Sequence, residues 1–116
     1  MSPNKQIVEQ YLEGFRRSDH AMVLDCLTDD VQWVLPGAFH VTGKAAFDKE
    51  IESDCFVGSP QITTLRMVEE NDVVIAEGMV RTERKEGGFL NLVFCDVFEM
   101  EDTKIKKLTT YLVTMP

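Results

Sequence analysis

GFLNLVFCDVFEMEDTKIKKLTTYLVT, residues 88–114, reads as two strands joined by a tight turn at Asp102-Thr103. Side chains alternate faces along a strand, so Leu92, Phe94, Asp96 and Phe98 share one face and Val93, Cys95 and Val97 the other. On the second strand, Leu108, Thr110 and Leu112 oppose Ile105, Thr109, Tyr111 and Val113. Asp96 therefore falls on the face carrying two phenylalanines. A charge is costly to bury unless it is paired or neutralised. Either Asp96 meets water, or it is held in a pocket for a purpose.

Working back along the chain, QITTLRMVEE (61–70) and DVVIAEGMVRTERK (72–85) are two further long strands. Turns at Glu70-Asn71-Asp72 and Glu86-Gly87-Gly88 make successive strands antiparallel neighbours. The front of the chain is different. Ile7, Val8, Tyr11, Leu12 and Phe15 recur at helical spacing, and Ser2-Pro3 starts a helix that ends near Ser18. A second helix is predicted over Asp19–Leu27, burying Met22, Val23, Cys26 and Leu27, and is broken by Thr28-Asp29-Asp30. Val31–Leu35 is a short strand stopped by Pro36-Gly37, and AFHV (38–41) is a second. Thr42 would cap a third helix running to Asp54, with Phe47, Ile51 and Cys55 along one side.

Helices first and a strand meander afterwards define an α+β order. The natural packing is a single domain over residues 1–116. In it, three N-terminal helices cover the concave face of a strongly curved antiparallel sheet, cone-shaped, enclosing a pocket open at one end. The outer sheet face is also partly apolar, which predicts a homodimer through that face.

Composition narrows the function classes. The net charge of −8, from 12 basic and 20 acidic residues, argues against nucleic acid as a partner, as such partners need a basic face. Lys104–Lys107 is a short basic cluster, interrupted by Ile105, at a solvated strand end. No apolar run is long enough to cross a membrane, and MSPNKQ lacks the apolar stretch of a signal peptide, so a cytoplasmic location and no membrane partner are predicted. Cys26, Cys55 and Cys95 are widely spaced and read as free thiols. Without C-x-x-C, and with only His20 and His40, no metal site is expected. No G-x-S-x-G, P-loop or G-x-G-x-x-G is present, so no nucleophilic serine and no cofactor are expected.

IVEQYLEGFRRSDHAMVLDCLTDDVQWVLPG (7–37), VTGKAAF (41–47) and VFCDVFEMEDTKIKKLTTYL (93–112) together resemble the NTF2-like superfamily, and within it the SnoaL-like group. That resemblance implies the cone-shaped fold and hosts isomerases, cyclases, hydrolases, dehydratases and non-catalytic binders. Tyr11 and Asp96 are similar in placement to the oxyanion-hole tyrosine and protonated aspartate of ketosteroid isomerase. The base of that enzyme, an aspartate before a proline, is replaced by Leu35. Arg81-Thr82-Glu83 is similar to the arginine-acid pair of limonene-epoxide hydrolase, but Thr110 stands in place of its second aspartate.

The candidate catalytic residues are thus Asp96, Tyr11, Arg81 and His40. A buried, neutral Asp96 can donate to a ligand oxygen; the alternative is a structural carboxylate paired with Arg81 or Tyr11. Tyr11 is a second donor, or a core tyrosine tied to a strand. Arg81, if inward with Glu77 and Met79, would grip a carboxylate; otherwise it is a solvated hairpin residue. His40 is a proton shuttle or an exposed loop histidine. Phe15, Trp33, Leu35, Phe39, Phe47, Phe56, Met79, Phe94, Thr110 and Leu112 are predicted to line the pocket, whose ligand would be a small, largely apolar organic molecule. The other class of reading is a non-catalytic module, with a self-filled pocket, that serves dimerisation or protein association.

Overall fold

The Ser2 side chain accepts a hydrogen bond from the Lys5 amide (3.1 Å) and starts helix α1, Pro3–Arg16. This computed structural model describes residues 2–52 and 56–116. Val8, Tyr11 and Leu12 are buried along one stripe of α1. Asp19 caps a short α2, His20–Leu24, by accepting from the Met22 amide at 3.0 Å. Six strands follow or flank α3 (Lys44–Lys49): β1 Leu27–Leu35, β2 Phe39–Thr42, β3 Phe56–Glu70, β4 Val73–Arg84, β5 Phe89–Glu101 and β6 Lys104–Thr114. They form one sheet in the order β2-β1-β6-β5-β4-β3.

The α+β architecture is as expected, with the helices packed on one face of a curved, unclosed sheet. Three details differ. β1 lies parallel to β6, so the sheet is not wholly antiparallel and the two short strands join the four long ones. β1 also begins at Leu27, not Val31. The Ile105 amide donates to the Cys26 carbonyl (2.8 Å), drawing Leu27 into the ladder opposite Ile105 and ending α2 early; Asp29 and Asp30 fall in the register shift before Gln32. Finally, Thr42 does not cap α3. It pairs with Gln32 in the β1–β2 ladder, and Gly43, at φ 91°, makes the turn from strand to helix. α3 itself stops at Lys49, with Glu50 as its C-cap, short of the expected end at Asp54; Asp54 and Cys55 lie outside the described residues.

The hairpin turns at Asn71-Asp72 and Asp102-Thr103 have positive φ at both residues, the twist that suits two-residue connections. Bulges interrupt β3 between Val57 and Gln61 and between Thr64 and Arg66, and they bend the strand. Another irregularity places Ile105 opposite Met100 while Lys107 stays opposite Glu99. Ile105 is consequently fully buried, inside rather than on the outer face where alternation alone puts it. Helix α1 straps the edge strand β3. Arg16 donates from Nε to the Ile62 carbonyl (2.9 Å), and Ser2 and Asn4 both donate to the Glu69 carboxylate. One outward backbone carbonyl of the edge strand, that of Ile62, is thereby paired.

Candidate functional site

Between α1, the end of α3 and the inner sheet face lies a cavity of about 520 Å³. Pairing fixes which residues face it. Asp96 on β5 stands opposite Ala76 on β4 and Thr110 on β6, and cross-strand partners share a face. Phe94 likewise stands opposite Gly78 and Leu112. A Cβ at Gly78 would sit 2.6 Å from the Phe94 ring and 2.3 Å from the Thr63 carbonyl oxygen, so only glycine admits this ring against the strand.

Of the predicted pocket residues, Phe15, Trp33, Leu35, Phe39, Phe56, Phe94, Thr110 and Leu112 line the cavity, together with Tyr11 and Asp96. Phe47 is instead fully buried behind the wall, stacked on Trp33 with ring centroids 4.5 Å apart. Met79 and Arg81 are on the outer face, because the register with Asp96 turns the even-numbered residues of β4 inward. Met79 is 48 % exposed, and the Arg81 guanidinium lies over the Phe89 ring at 4.0 Å. Glu77 also faces out, bound to Arg66 at 2.6 Å. His40 is exposed and shares Nε2 with Gln32 Oε1 (2.9 Å), while its neighbour Phe39 takes the cavity side. Val80 and Thr82 occupy the places expected of Met79 and Arg81. A hairpin register counted from the Glu86–Gly88 turn, rather than a search for charged candidates, would have found them. Glu50, Glu52, Ser18 and Ser59 also contribute to the lining, and no lysine, arginine or histidine does so among the described residues.

Asp96 is 7 % exposed, and its Oδ1 is the one buried side-chain oxygen or nitrogen among the described residues with no hydrogen-bond partner. Burial pushes its carboxyl up from 3.8 to about 7, against a hydrogen bond from Thr110 that lowers it. Thr110 Oγ1 in turn accepts from the indole Nε1 of Trp33 at 3.0 Å. Tyr11 is packed edge-on against Phe98, with ring centroids 5.2 Å apart. Burial first, then the negative charges of Asp96 and Cys26, raise its phenol well above the ordinary value, so it stays protonated. The cavity thus offers a neutral phenol and a carboxyl poised between acid and carboxylate, set in an aromatic wall. Leu35, before Pro36, contributes only apolar surface.

His20, on α2, ties this helix to Asp48 of α3 and to Glu52 just beyond it. Its Nδ1 is 2.5 Å from Asp48 and its Nε2 is 2.7 Å from Glu52. Carboxylates only accept, so both bonds favour the doubly protonated ring, and these two hydrogen bonds raise the His20 pKa. No helix among the described residues is long and apolar enough to cross a membrane.

The arrangement has known counterparts. An NTF2-like protein of unknown function from Burkholderia pseudomallei superimposes with a TM-score of 0.90 at 21% identity, covering 97% of this chain and 92% of that one. An LEH-like epoxide hydrolase from M. tuberculosis gives 0.83 at 20% identity, covering 96% and 83%. TerC, crystallised with polyporic acid, gives 0.85 at 22% identity, covering 94% and 90%. At these identities the likeness speaks for the fold alone. No curated protein matches the sequence. The model of the SnoaL-like domain matches residues 8–108, nearly the whole chain, and the protein therefore belongs to the SnoaL-like family, with the NTF2-like fold.

Proposed function

We propose that the chain binds a small, largely apolar, uncharged organic molecule in the cavity and presents Asp96 and Tyr11 as hydrogen-bond donors to its oxygen. The carrying observation is the buried Asp96 carboxyl, with one oxygen unpartnered, in the wall of an aromatic cavity of about 520 Å³. An unmet polar atom in such a place is costly, and a ligand acceptor removes the cost. The absence of a cation from the described lining disfavours carboxylate ligands. With a neutral acid aimed at a carbonyl or hydroxyl oxygen, the fitting chemistry is cofactor-free acid–base isomerisation, dehydration or cyclisation. Asp96 is its acid and Tyr11 its second donor. Arg81 and His40 take no part.

A thermal-shift screen with steroids, polyketides, terpenes and small acids tests this. A saturable rise in melting temperature with uncharged cyclic compounds, lost in Asp96→Ala, is the expected result. Retained binding in that variant refutes the assigned role.

A second reading has its own support. Val68, Met79, Tyr111 and Val113 leave the outer sheet face apolar and 48–63 % exposed. We propose that this face joins two copies of the chain. If the screen is silent across all classes while sedimentation shows a dimer, association is the protein's main task.

A further inference from the structure

We infer that Thr110, held by Trp33, is a positioning residue that decides which oxygen of Asp96 carries the acid proton. The inference rests on Asp96 being the pocket's donor, as proposed above.

Thr110 and Asp96 are direct cross-strand partners on β6 and β5, both facing inward and both 7 % exposed. A threonine hydroxyl has one proton to give and lone pairs to receive. An indole N–H can only donate, so at 3.0 Å Trp33 takes a lone pair of Thr110 Oγ1. The Thr110 proton is then turned away from Trp33, towards its cross-strand partner Asp96, whose charged form it favours. The carboxyl oxygen that accepts it behaves as the carbonyl oxygen of the neutral acid. The acid proton belongs to the other oxygen, free for a ligand, and Oδ1 is the one found without a protein partner.

Polarity is what Trp33 adds. Without the indole, the Thr110 hydroxyl could rotate and accept the Asp96 proton itself. The acid would then be satisfied internally and would have nothing to offer a ligand. Trp33 faces the cavity while its ring packs on Phe47 and meets Phe15 and Phe39 edge-on, so the indole is fixed from several sides. The titratable neighbour on the opposing helix is Tyr11, which feels the Asp96 charge; Cys95, the adjacent residue on β5, feels it from the outer face.

The test is a pH titration of the Asp96 side-chain carboxyl by 13C NMR on the whole protein, with Asp96→Asn to assign the signal. A group that donates to the carboxylate holds the midpoint down, whereas one that accepts from the acid holds it up. Thr110→Val should therefore raise the midpoint by about one pH unit, the usual worth of a hydrogen bond to a charged group. Thr110→Ser should restore the wild-type value. Trp33→Phe should move it in the same direction as Thr110→Val, because the hydroxyl is released. If Thr110→Val does not fold, Thr110→Ala deletes the same hydroxyl and leaves only space beside the cavity. A midpoint that falls or stays put in the hydroxyl deletions overturns the inference, even with wild-type Asp96 titrating near 7. An unchanged midpoint in Trp33→Phe overturns Trp33's part in it. A wild-type midpoint near 3.8 sinks the donor role of Asp96 as well.

Discussion

Replacing Asp96 by asparagine should make the protein more stable at high pH and leave it nearly unchanged at low pH. In the unfolded chain this carboxyl ionises around its ordinary value of 3.8; in the fold, burial holds it protonated up to about 7. Between those values the native state keeps a proton that the unfolded state has lost. Stability therefore falls as pH rises through the window, and the full cost is present above about 7. At about 1.4 kcal/mol per pH unit, the span comes to about 4 kcal/mol. Asparagine has nearly the same shape and never ionises, so it escapes this cost. At about pH 4 the two proteins should differ by no more than one hydrogen bond, about 1 kcal/mol. At about pH 8 the variant should lead by several kcal/mol. Urea unfolding of both proteins across this range provides the assay, since every other titrating group cancels in the difference. A flat difference between pH 4 and pH 8 would falsify the placement of Asp96 in a poorly solvated pocket.

Other expectations are as direct. Gly78→Ala drives a methyl into the Thr63 carbonyl and the Phe94 ring and should cost about 3 kcal/mol, read as a lowered urea midpoint; a neutral effect contradicts the β4–β5 packing. His20→Ala should lower the melting temperature near pH 5.5 and not near pH 9. The raised imidazolium stabilises below about 6.5, and its contribution is lost as pH climbs through the folded value. Salt should shrink the effect, because the bridge is partly exposed. Arg81→Ala should leave the affinity for any compound found in the screen within about twofold and cost under about 1 kcal/mol from the lost contact with Phe89. A tenfold weakening would mean that β4 presents its other face.

The last hairpin was readable because β5 alternates cleanly and its hydrophobic side has only one plausible destination. Asp96, Phe94, Thr110 and Leu112 therefore came out together. Arg81 and Met79 were misplaced for a different reason. On β4 both faces carry apolar residues, so alternation leaves the face undecided, and only pairing with Asp96 through Ala76 settles it. The wall position of Thr82 was hidden the same way. Ile105 and Leu27 were lost to irregular registers that no periodicity reports. The parallel neighbour of β1 lies some 75 residues away in the chain, beyond any local signal. His40 sat beside the right residue: a one-place step along β2 separates it from Phe39, which does reach the cavity.

The strand at the middle of the sheet, β6, is the last of the six in chain order, and it holds β1 on one side and β5 on the other. During synthesis, β1 and β2 must therefore wait beside their helices, their ladder unfinished, until Lys104–Thr114 has left the ribosome. A stalled or clipped chain lacking that stretch would keep every helix yet have two separate sheet fragments with sticky margins, a state suited to chaperones or to aggregation.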